Sequence, residues 1–278
     1  MHYIDLGGDF LNDYYENHEE LRKNKFCPFK LFHAFLGGTV GCNWHKNIEI
    51  LLITEGECFI QYSADTFPLH QNDMVIANSN VLHRLYTQTG TRFFCLIIDN
   101  LFCSENGINI EEICFEKIVT DEGARRLFED VTVCAKTYEE TKTDLSAAVF
   151  RSAVLTLLVY LYAHHSAPTE AGNSQTSSER HVKLALKYIH ENFTHPITLD
   201  TLAALCGITK FHLARQFKQY TGQTVFSYLN HLRCKNAELL IAEGSSITEA
   251  AYASGFESIS YFSRTYKKHM GASPSSKI

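Results

Sequence analysis

The sequence lacks the regular cysteine spacing that disulfide frameworks and structural zinc sites require. Its 9 cysteines are scattered through 278 residues, and no two of them form a C-x-x-C pair. Secreted disulfide-rich proteins and zinc ribbons both depend on such short, repeated spacings. The cysteine pattern therefore predicts free thiols in a reducing compartment.

Long hydrophobic runs and common enzyme motifs are absent as well. The longest apolar run, residues 153–163, is shorter than the ~20 residues that cross a bilayer, and the acidic residues 1–10 do not resemble a secretory leader. The chain contains no G-x-S-x-G, Walker A or H-E-x-x-H sequence, which leaves the corresponding enzyme classes without support. We therefore expect a cytoplasmic protein with no membrane partner.

Positive charge is scarce in most of the chain and concentrated near its end. The whole sequence carries 25 Lys and Arg against 31 Asp and Glu, a net charge of -6. Residues 179–278 reverse this balance, with 12 Lys and Arg against 7 Asp and Glu. A basic segment attached to an acidic body predicts that only the basic segment contacts a polyanion, either nucleic acid or a membrane surface.

Hydrophobic periodicity divides the chain into four segments. Short β-branched and aromatic runs such as EILLITEG and RFFCLIID predict an antiparallel β-barrel or sandwich within residues 1–120. Residues 121–165 have the 3.6-residue period of two helices. The polar sequence SAPTEAGNSQTSS at residues 166–178 predicts a linker, and residues 179–278 predict an all-helical domain.

The second predicted helix of residues 121–165 is apolar around much of its circumference. Such a helix packs on its own barrel or pairs with a second copy of the chain. We predict that this segment contributes to a homodimer interface, and that glutamate at Leu157 and Leu161 shifts the protein toward monomer.

Two similar sequences occur in the basic segment. GITKFHLARQFKQYTGQT begins at Gly207, and GFESISYFSRTYKKHMGASP begins at Gly255. With one extra residue in the second turn, Arg215 aligns with Arg264. Each copy has a short predicted helix before its glycine and a longer one after it, which is the pattern of a helix-turn-helix motif.

The longer helix of each copy separates into a buried face and an outward face. Leu213 with Phe217, and Phe262 with Tyr266, stand at i, i+4 and predict the buried faces. On the outward faces, arginine suits a bidentate contact to guanine and lysine suits phosphate. The predicted helix between the copies, residues 225–242, spans ~27 Å at ~1.5 Å per residue, which approaches the ~34 Å between successive major-groove faces of DNA.

Residues 180–278 resemble the DNA-binding domain of the AraC/XylS family of bacterial transcription regulators. The resemblance is carried by LAALCGITKFHLARQFKQYTGQTVFSYLNHLRCKNAELLI and SITEAAYASGFESISYFSRTYKKHMGASP, with a Gly-Phe after the second short helix and a final Gly-x-x-Pro. It implies that the helices at residues 209–220 and 258–269 enter successive major grooves. By position, it implies DNA contacts from Lys210, Phe211, His212, Ala214, Arg215, Lys218, Ser258, Ser260, Tyr261, Ser263, Arg264 and Lys267.

The predicted barrel contains a partial metal-ligand pattern. HKNIEILLITEG, which includes His45 and Glu49, and the later His83 resemble the cupin motif, in which His, His, Glu and a later His meet one metal ion. Asn43 occupies the place of the first His. Two histidines and a carboxylate can hold iron, but polar residues that close the barrel mouth and a pocket for a small effector are the alternatives.

The resemblance to AraC-type regulators implies an effector-sensing barrel before the DNA-binding domain. It makes Trp44, His45, Glu49 and His83 the candidates for effector contact. A sugar is one ligand class that suits an aromatic ring beside hydrogen-bonding groups. With Asn43 in the first ligand position, we expect no bound metal and no cofactor.

Together these features predict a multidomain α and β protein, with an N-terminal cupin-like antiparallel β-barrel and following helices, and a C-terminal all-α domain with two helix-turn-helix units. The predicted function is a sequence-specific DNA-binding transcription regulator that is controlled by a small-molecule effector and is not an enzyme. Promoter DNA, the effector, a second copy of the chain and RNA polymerase are the predicted partners. The alternative is a metal-dependent cupin enzyme fused to a DNA-binding domain.

Overall fold

The computed structural model describes residues 3–6, 21, 23–24, 26–38, 42–63, 65–168 and 176–277. The chain separates into two compact units, Met1–Ser174 and Gln175–Ile278. The first unit is rich in strands, which are followed by helices, and the second unit is helical. This arrangement confirms the predicted fold class.

The strands that the structure describes in the first unit form three sheets. Their bounds are β1 (Tyr3–Leu6), β2 (Phe29–Leu36), β3 (Ile48–Gly56), β4 (Cys58–Tyr62), β5 (Asp65–Leu69), β6 (Met74–Ala77), β7 (His83–Tyr86), β8 (Thr91–Ile98), β9 (Ile113–Phe115), β10 (Ile118–Val119) and β11 (Ser166–Pro168). The largest sheet has the order β1-β2-β8-β3-β6-β10, the second β5-β4-β7, and the third β11-β9. The described pairs are antiparallel except for β1 with β2, which run parallel. The antiparallel pairing predicted for the barrel is confirmed for the pairs among β2 to β8.

Strand β3 is buried on both faces because the largest sheet lies between two apolar layers. Ile50 and Leu52 pack in the core that includes the helices, whereas Leu51 and Ile53 pack in the core shared with the second sheet. These four side chains are at most 5% exposed. Successive side chains of a strand point to opposite faces, so Glu49 lies on the same face as Leu51.

The helices of the first unit whose bounds the structure describes are α1 (Asn100–Glu105), α2 (Glu122–Thr141) and α3 (Asp144–His164). The side chains of Asp121 and Thr143 accept hydrogen bonds from the first turns of α2 and α3, which explains where these two helices begin. Both helices supply buried apolar residues to the core on the outer face of the largest sheet.

Helix α3 is apolar because much of it lies in this core. Its 21 residues extend well beyond the apolar run in the sequence. Among the described helices it is the one long and apolar enough to cross a membrane by length and composition, and 39% of its most apolar window is buried. Core helices of soluble proteins pass the same test.

The residues of α3 that are exposed differ from those predicted to lie at a dimer interface. Leu157 and Leu161 are fully buried within their own unit, so the prediction that they lie at a dimer interface was wrong. A helix that is apolar on most sides does not reveal from its periodicity which side faces its own core. The exposed large apolar residues of α3 are Leu145, Val149, Val159 and Tyr162.

The segment predicted as a linker, residues 166–178, is partly structured. Ser166–Pro168 form β11 and pair with β9, and the next helix begins at Ser177. The linker prediction was therefore wrong at both ends, because backbone hydrogen bonding can recruit residues without apolar side chains. Residues 169–175 lie outside the described part of the chain.

The second unit repeats one helical arrangement. Its helices are α4 (Ser177–Asn192), α5 (Leu199–Cys206), α6 (Lys210–Thr221), α7 (Val225–Ala242), α8 (Ile247–Ala253) and α9 (Ile259–Met270), before a 3-10 turn at Pro274–Lys277. Helices α6 and α9 each have 12 residues, begin after the capping hydroxyls of Thr209 and Ser258, and end before a left-handed glycine, Gly222 or Gly271. The predicted buried faces are confirmed by residues that are each 0% exposed: Leu213, Phe217, Phe262 and Tyr266.

The turn glycines of the two copies differ in their surroundings. Gly207 and Gly255 both have positive φ, +68° and +86°, but a Cβ on Gly207 would meet nothing within 4 Å. A Cβ on Gly255 would lie 2.7 Å from the carbonyl oxygen of Thr194 and 2.9 Å from that of Phe193. We predict that Gly207→Ala destabilises the second unit by about 1–2 kcal/mol through its left-handed backbone, and that Gly255→Ala costs a further ~1–3 kcal/mol through overpacking.

Hydrogen exchange of the full-length protein, followed in peptides from α7 to α9, measures both effects, and Gly207→Ala serves as the control for backbone strain. Equal loss of protection in the two variants would contradict the close approach of Gly255 to the chain after α4.

The core of the second unit contains a buried histidine that is neutral at physiological pH. His231 is 4% exposed, and its Nε2 has no hydrogen-bond partner within the described chain. Burial, reinforced by His269 and Lys235, lowers the pKa of His231 to about 3. Since an unfolded histidine has a pKa near ~6.5, the folded state loses stability as the pH falls below that value, and the loss continues until the pH reaches the folded pKa.

We predict that His231→Leu removes this loss, which is about 2 kcal/mol between pH ~7.5 and pH ~5. Urea unfolding at both pH values, followed by helical circular dichroism, gives the difference between variant and wild type. His195→Leu, at an exposed position of the same unit, is the control and should keep the wild-type pH dependence. A His231→Leu protein with unchanged pH dependence would show that this ring is not buried in the neutral form.

Candidate functional site

A cluster of polar side chains lies on the face of the largest sheet that is directed toward the second sheet. The Glu49 Oε2 atom of β3 is 3.0 Å from His45 Nε2 and 3.3 Å from His83 Nε2. His45 precedes β3 in the largest sheet, whereas His83 is the first residue of β7 in the second sheet. The cluster therefore connects the two sheets through one carboxylate.

Backbone carbonyl groups fix the orientation of both imidazole rings. His45 Nδ1 is 3.0 Å from the carbonyl oxygen of Asn47, and His83 Nδ1 is 2.9 Å from that of Val81. A carbonyl oxygen only accepts hydrogen bonds. Each Nδ1 therefore carries a hydrogen and donates a hydrogen bond to the carbonyl oxygen. Each Nε2 is directed at Glu49.

The carboxylate of Glu49 is held in its charged form. Burial raises the pKa of this carboxyl, but contacts with His45 and His83 outweigh burial and hold the pKa well below its usual range. The thiol of Cys95 donates to Glu49 Oε1 at 3.1 Å. Sequence reasoning missed Cys95 because the contact depends on the register of β8, in which Cys95 is paired with Leu51 of β3.

The structure brings together three of the four residues predicted to meet an effector. The ligand atoms of His45, Glu49 and His83 all lie within 4.8 Å of one another and form a set that could hold a metal ion. Trp44 is only 8% exposed. Asn43, in the place of the first cupin ligand, pairs through its backbone with His83, which holds the start of β7 against this segment.

The second candidate site is the outward side of α6 and α9. None of the residues predicted to contact DNA is buried. Phe211 is 79% exposed and Tyr261 is 45% exposed, both in the first turn of their helix. Arg215 and Arg264 are exposed at matching positions of the two helices, so the structure presents a similar surface twice.

Side chains of neighbouring helices position two residues of this surface. Lys210 Nζ forms an ion pair with Asp200 of α5 at 3.0 Å. Asn230 of α7 donates to the hydroxyl of Tyr261 at 2.7 Å. Sequence reasoning missed Asp200 and Asn230 because they belong to other helices, and no periodicity within α6 or α9 reveals them.

The remaining positive charges of the surface are available to a polyanion. Within the described ranges, no carboxylate pairs with Lys218, Arg264 or Lys267. Arg215 Nη2 lies 3.3 Å from His212 Nδ1, an interaction inside the same surface. The arrangement can therefore offer two arginines and two lysines to the edge and backbone of a nucleic acid.

Two family models match successive parts of the chain. Residues 39–159 match the AraC-like ligand binding domain, and residues 202–277 match a helix-turn-helix domain. The uncharacterized HTH-type transcriptional regulator YdeC of Bacillus subtilis is 23% identical over 261 residues, which cover 89% of this chain and 89% of that protein. An uncharacterized HTH-type transcriptional regulator in the cgkA 5' region of Pseudoalteromonas carrageenovora is 30% identical over 112 residues, which cover 38% of this chain and 67% of that protein.

A solved structure of ToxT from Vibrio cholerae is also similar, with a TM-score of 0.43 and 13% identity over 89% of this chain and 97% of that chain. The two domain matches follow each other in the order that the structure shows for the strand-rich and helical units. The chain therefore belongs to the AraC family of transcription regulators, with a ligand-binding domain followed by a DNA-binding helix-turn-helix domain.

Proposed function

We propose that α6 and α9 each enter one of two successive major grooves of promoter DNA. The observation that carries this proposal is the repetition of one surface, since Arg215 and Lys218 of α6 recur as Arg264 and Lys267 of α9. Helix α7 between them has 18 residues, and ~1.5 Å per residue gives it ~27 Å. This length approaches the ~34 Å that separates successive major-groove faces.

The chemistry of each side chain decides its proposed role on DNA. Arg215 and Arg264 suit bidentate contacts to guanine. The two lysines, Lys218 and Lys267, suit contacts to phosphate. The exposed ring of Phe211 suits the methyl group of thymine. The other proposed contacts come from Lys210, His212, Ala214, Ser258, Ser260, Tyr261 and Ser263.

We further propose that Trp44, His45, Glu49 and His83 form the site where a small-molecule effector acts. The support is the charged cluster itself, which lies within the matched ligand-binding domain. Burying charge costs free energy unless it is paired, and buried charge in a binding domain is a common mark of a functional site. The relatives named above are regulators, which favours a barrel that senses a ligand over one that catalyses a reaction.

The regulator is proposed to act as a cytoplasmic homodimer, with RNA polymerase as a further partner at the promoter. Support for the dimer comes from the exposed apolar residues of α3. Leu145 is 76% exposed and Val149 is 49% exposed, one helical turn apart. Large apolar side chains that remain exposed side by side often mark an interaction surface.

The DNA-reading proposal predicts different effects for arginine and lysine. Arg215→Ala and Arg264→Ala should each cost about 1–3 kcal/mol and relax specificity at one base position, and the two relaxed positions should lie ~10 base pairs apart. Lys218→Ala and Lys267→Ala should weaken all sequences alike and reduce the salt slope by about one. Selection of binding sites from random DNA, with titrations at several salt concentrations, measures both.

Arg180→Ala, an exposed arginine of α4 outside the proposed surface, is the charge-matched control and should keep the wild-type site preference. If both Arg215→Ala and Arg264→Ala also keep that preference, base reading lies elsewhere on these helices. If only Arg215→Ala relaxes it, the second copy anchors the protein to the DNA backbone.

The dimer proposal predicts that Leu145→Glu combined with Val149→Glu shifts the protein toward monomer, because two charges then face the apolar surface of the second copy. Sedimentation velocity at several protein concentrations gives the change in dimer affinity. Leu239→Glu, at a leucine that is 63% exposed in the other unit, is the matched control. An unchanged dimer in the double variant would assign self-association to a different surface.

A further inference from the structure

Helix α7 carries a row of polar side chains that its apolar packing does not use. Asn230, Arg233 and Asn236 stand three residues apart, so they lie along one side of the helix. Asn230 donates a hydrogen bond to α9 and Asn236 donates one to the end of α8, both in the second copy. Arg233 instead donates to the chain between α4 and α5, in the first copy. The row therefore joins α7 to both helix-turn-helix copies.

Arg233 makes two hydrogen bonds to the first copy, both to backbone oxygen atoms. Its Nε donates to the carbonyl oxygen of Phe193 at 2.7 Å, and its Nη2 donates to that of His195 at 2.8 Å. Phe193 caps the C-terminus of α4. Carbonyl groups at the end of a helix carry partial negative charge and lack partners within the helix. A guanidinium, with its permanent charge and its fork of donors, is well matched to this position.

The same guanidinium adjoins the turn of the second copy. It lies over the ring of Phe256, 6.0 Å from the ring centroid. Phe256 is 2% exposed and packs edge-on against Phe262 of α9, with ring centroids 5.0 Å apart. At the preceding residue, a Cβ on Gly255 would lie 2.7 Å from the carbonyl oxygen of Thr194. Arg233 thus stands where the chain after α4 meets the second turn, bonded to the first and packed on the second.

The side chain of Arg233 is half-buried but keeps its charge. Burial lowers the pKa of Arg233, whereas Glu257 and Tyr261 raise it. Arginine remains protonated in proteins, so both hydrogen bonds to carbonyl oxygen are charge-assisted and stronger than bonds between neutral groups. Because both acceptors belong to the backbone, the link does not depend on any side chain of the first copy.

We propose that Arg233 is a positioning residue for DNA recognition, which fixes the orientation of the first helix-turn-helix copy relative to the second. Near the start of α7, Tyr228 contacts Phe217 of α6 and His190 of α4. A second attachment at Arg233, more than one turn further along α7, opposes rotation of the first copy about that contact. Helices α6 and α9 are thereby presented to DNA in one relative orientation. This inference rests on the reading of two successive grooves that is proposed above.

A fixed orientation matters because two contacts made by one chain reinforce each other only when both fit at once. A rigid connection raises the effective concentration of the second surface at its groove when the spacing is right, and prevents simultaneous contact when the spacing is wrong. One base pair turns the DNA by about a tenth of a helical turn. Rigidly joined copies should therefore discriminate strongly between sites that differ by one or two base pairs in spacing, and loosely joined copies should discriminate less.

The test uses full-length protein and a site that the wild type selects from random DNA. Affinity for this site is compared with affinity for the same site carrying one or two extra base pairs between its two contacted segments. Each insertion should weaken wild-type binding at least ~10-fold, whereas Arg233→Ala should bind the selected site more weakly and lose only about threefold or less on insertion. A variant that is only less stable would bind all three fragments more weakly by one common factor, so the ratio of affinities separates positioning from stability.

Lys235→Ala is the charge-matched control, since Lys235 lies on the same helix and pairs with Glu238 of that helix at 3.5 Å. It should keep the wild-type ratio of affinities. Arg233→Lys retains the charge but loses the fork of donors, so its ratio should fall between those of the wild type and Arg233→Ala. This variant also keeps the proposal testable if Arg233→Ala does not fold.

A wild-type ratio in Arg233→Ala, or in Arg233→Lys if the alanine variant does not fold, overturns the positioning role. Wild-type protein that binds all three fragments equally would instead refute the reading of two successive grooves. Hydrogen exchange of the free protein tests the link without DNA. Peptides that contain His195 and Gly255 should exchange faster in Arg233→Ala and at the wild-type rate in Lys235→Ala, and unchanged exchange in Arg233→Ala would overturn the link itself.

Discussion

One acidic residue on a strand that is buried on both faces constrains the whole first unit. Glu49 shares the inner face of β3 with Leu51 and Ile53, both at most 3% exposed. A carboxylate in such surroundings is strongly destabilising unless charge or hydrogen bonds compensate it. Its partners come from three different places: His45 before β3, Cys95 on β8 and His83 on β7. The fold must therefore bring both sheets to this carboxylate, and the register of β7 and β8 is linked to one polar position.

In the second unit the comparable constraint is helix α7, which belongs to the core of both copies. Near its start, Tyr228 packs edge-on against Phe217 of α6, with ring centroids 5.6 Å apart. Towards its end, Cys234 and Ala237 share a buried cluster with Phe262 of α9. The two outward surfaces are consequently joined by a single helix, and the proposed contacts with two successive grooves of DNA depend on the separation that this helix sets.

The sequence predicted the second unit better than the first because local patterns decide it. The i, i+4 pair Leu213 and Phe217 and the turn glycines are contained within each copy, so the helices and their buried faces could be deduced. In the first unit, Cys95 meets Glu49 only through strand pairing, which no local pattern encodes. The prediction that placed Leu157 at a dimer interface failed for a related reason. A helix that is apolar on most sides does not indicate which of its sides packs against the core of its own unit.

Strand β3 also lies between the polar cluster around Glu49 and helix α3, whose exposed apolar side is the proposed dimer interface. Glu49 stands on one face of the strand, while Ile48 and Ile50 on the other face pack in the core that contains Leu157 of α3. Protein interiors are close-packed and transmit small displacements. A shift of β3 to accommodate the proposed ligand at Glu49 would therefore alter the packing beneath α3, whose exposed residues include Leu145. The ligand site and the proposed dimer surface thus share one strand and one core, so the two proposals together predict that a ligand at Glu49 changes how two chains associate.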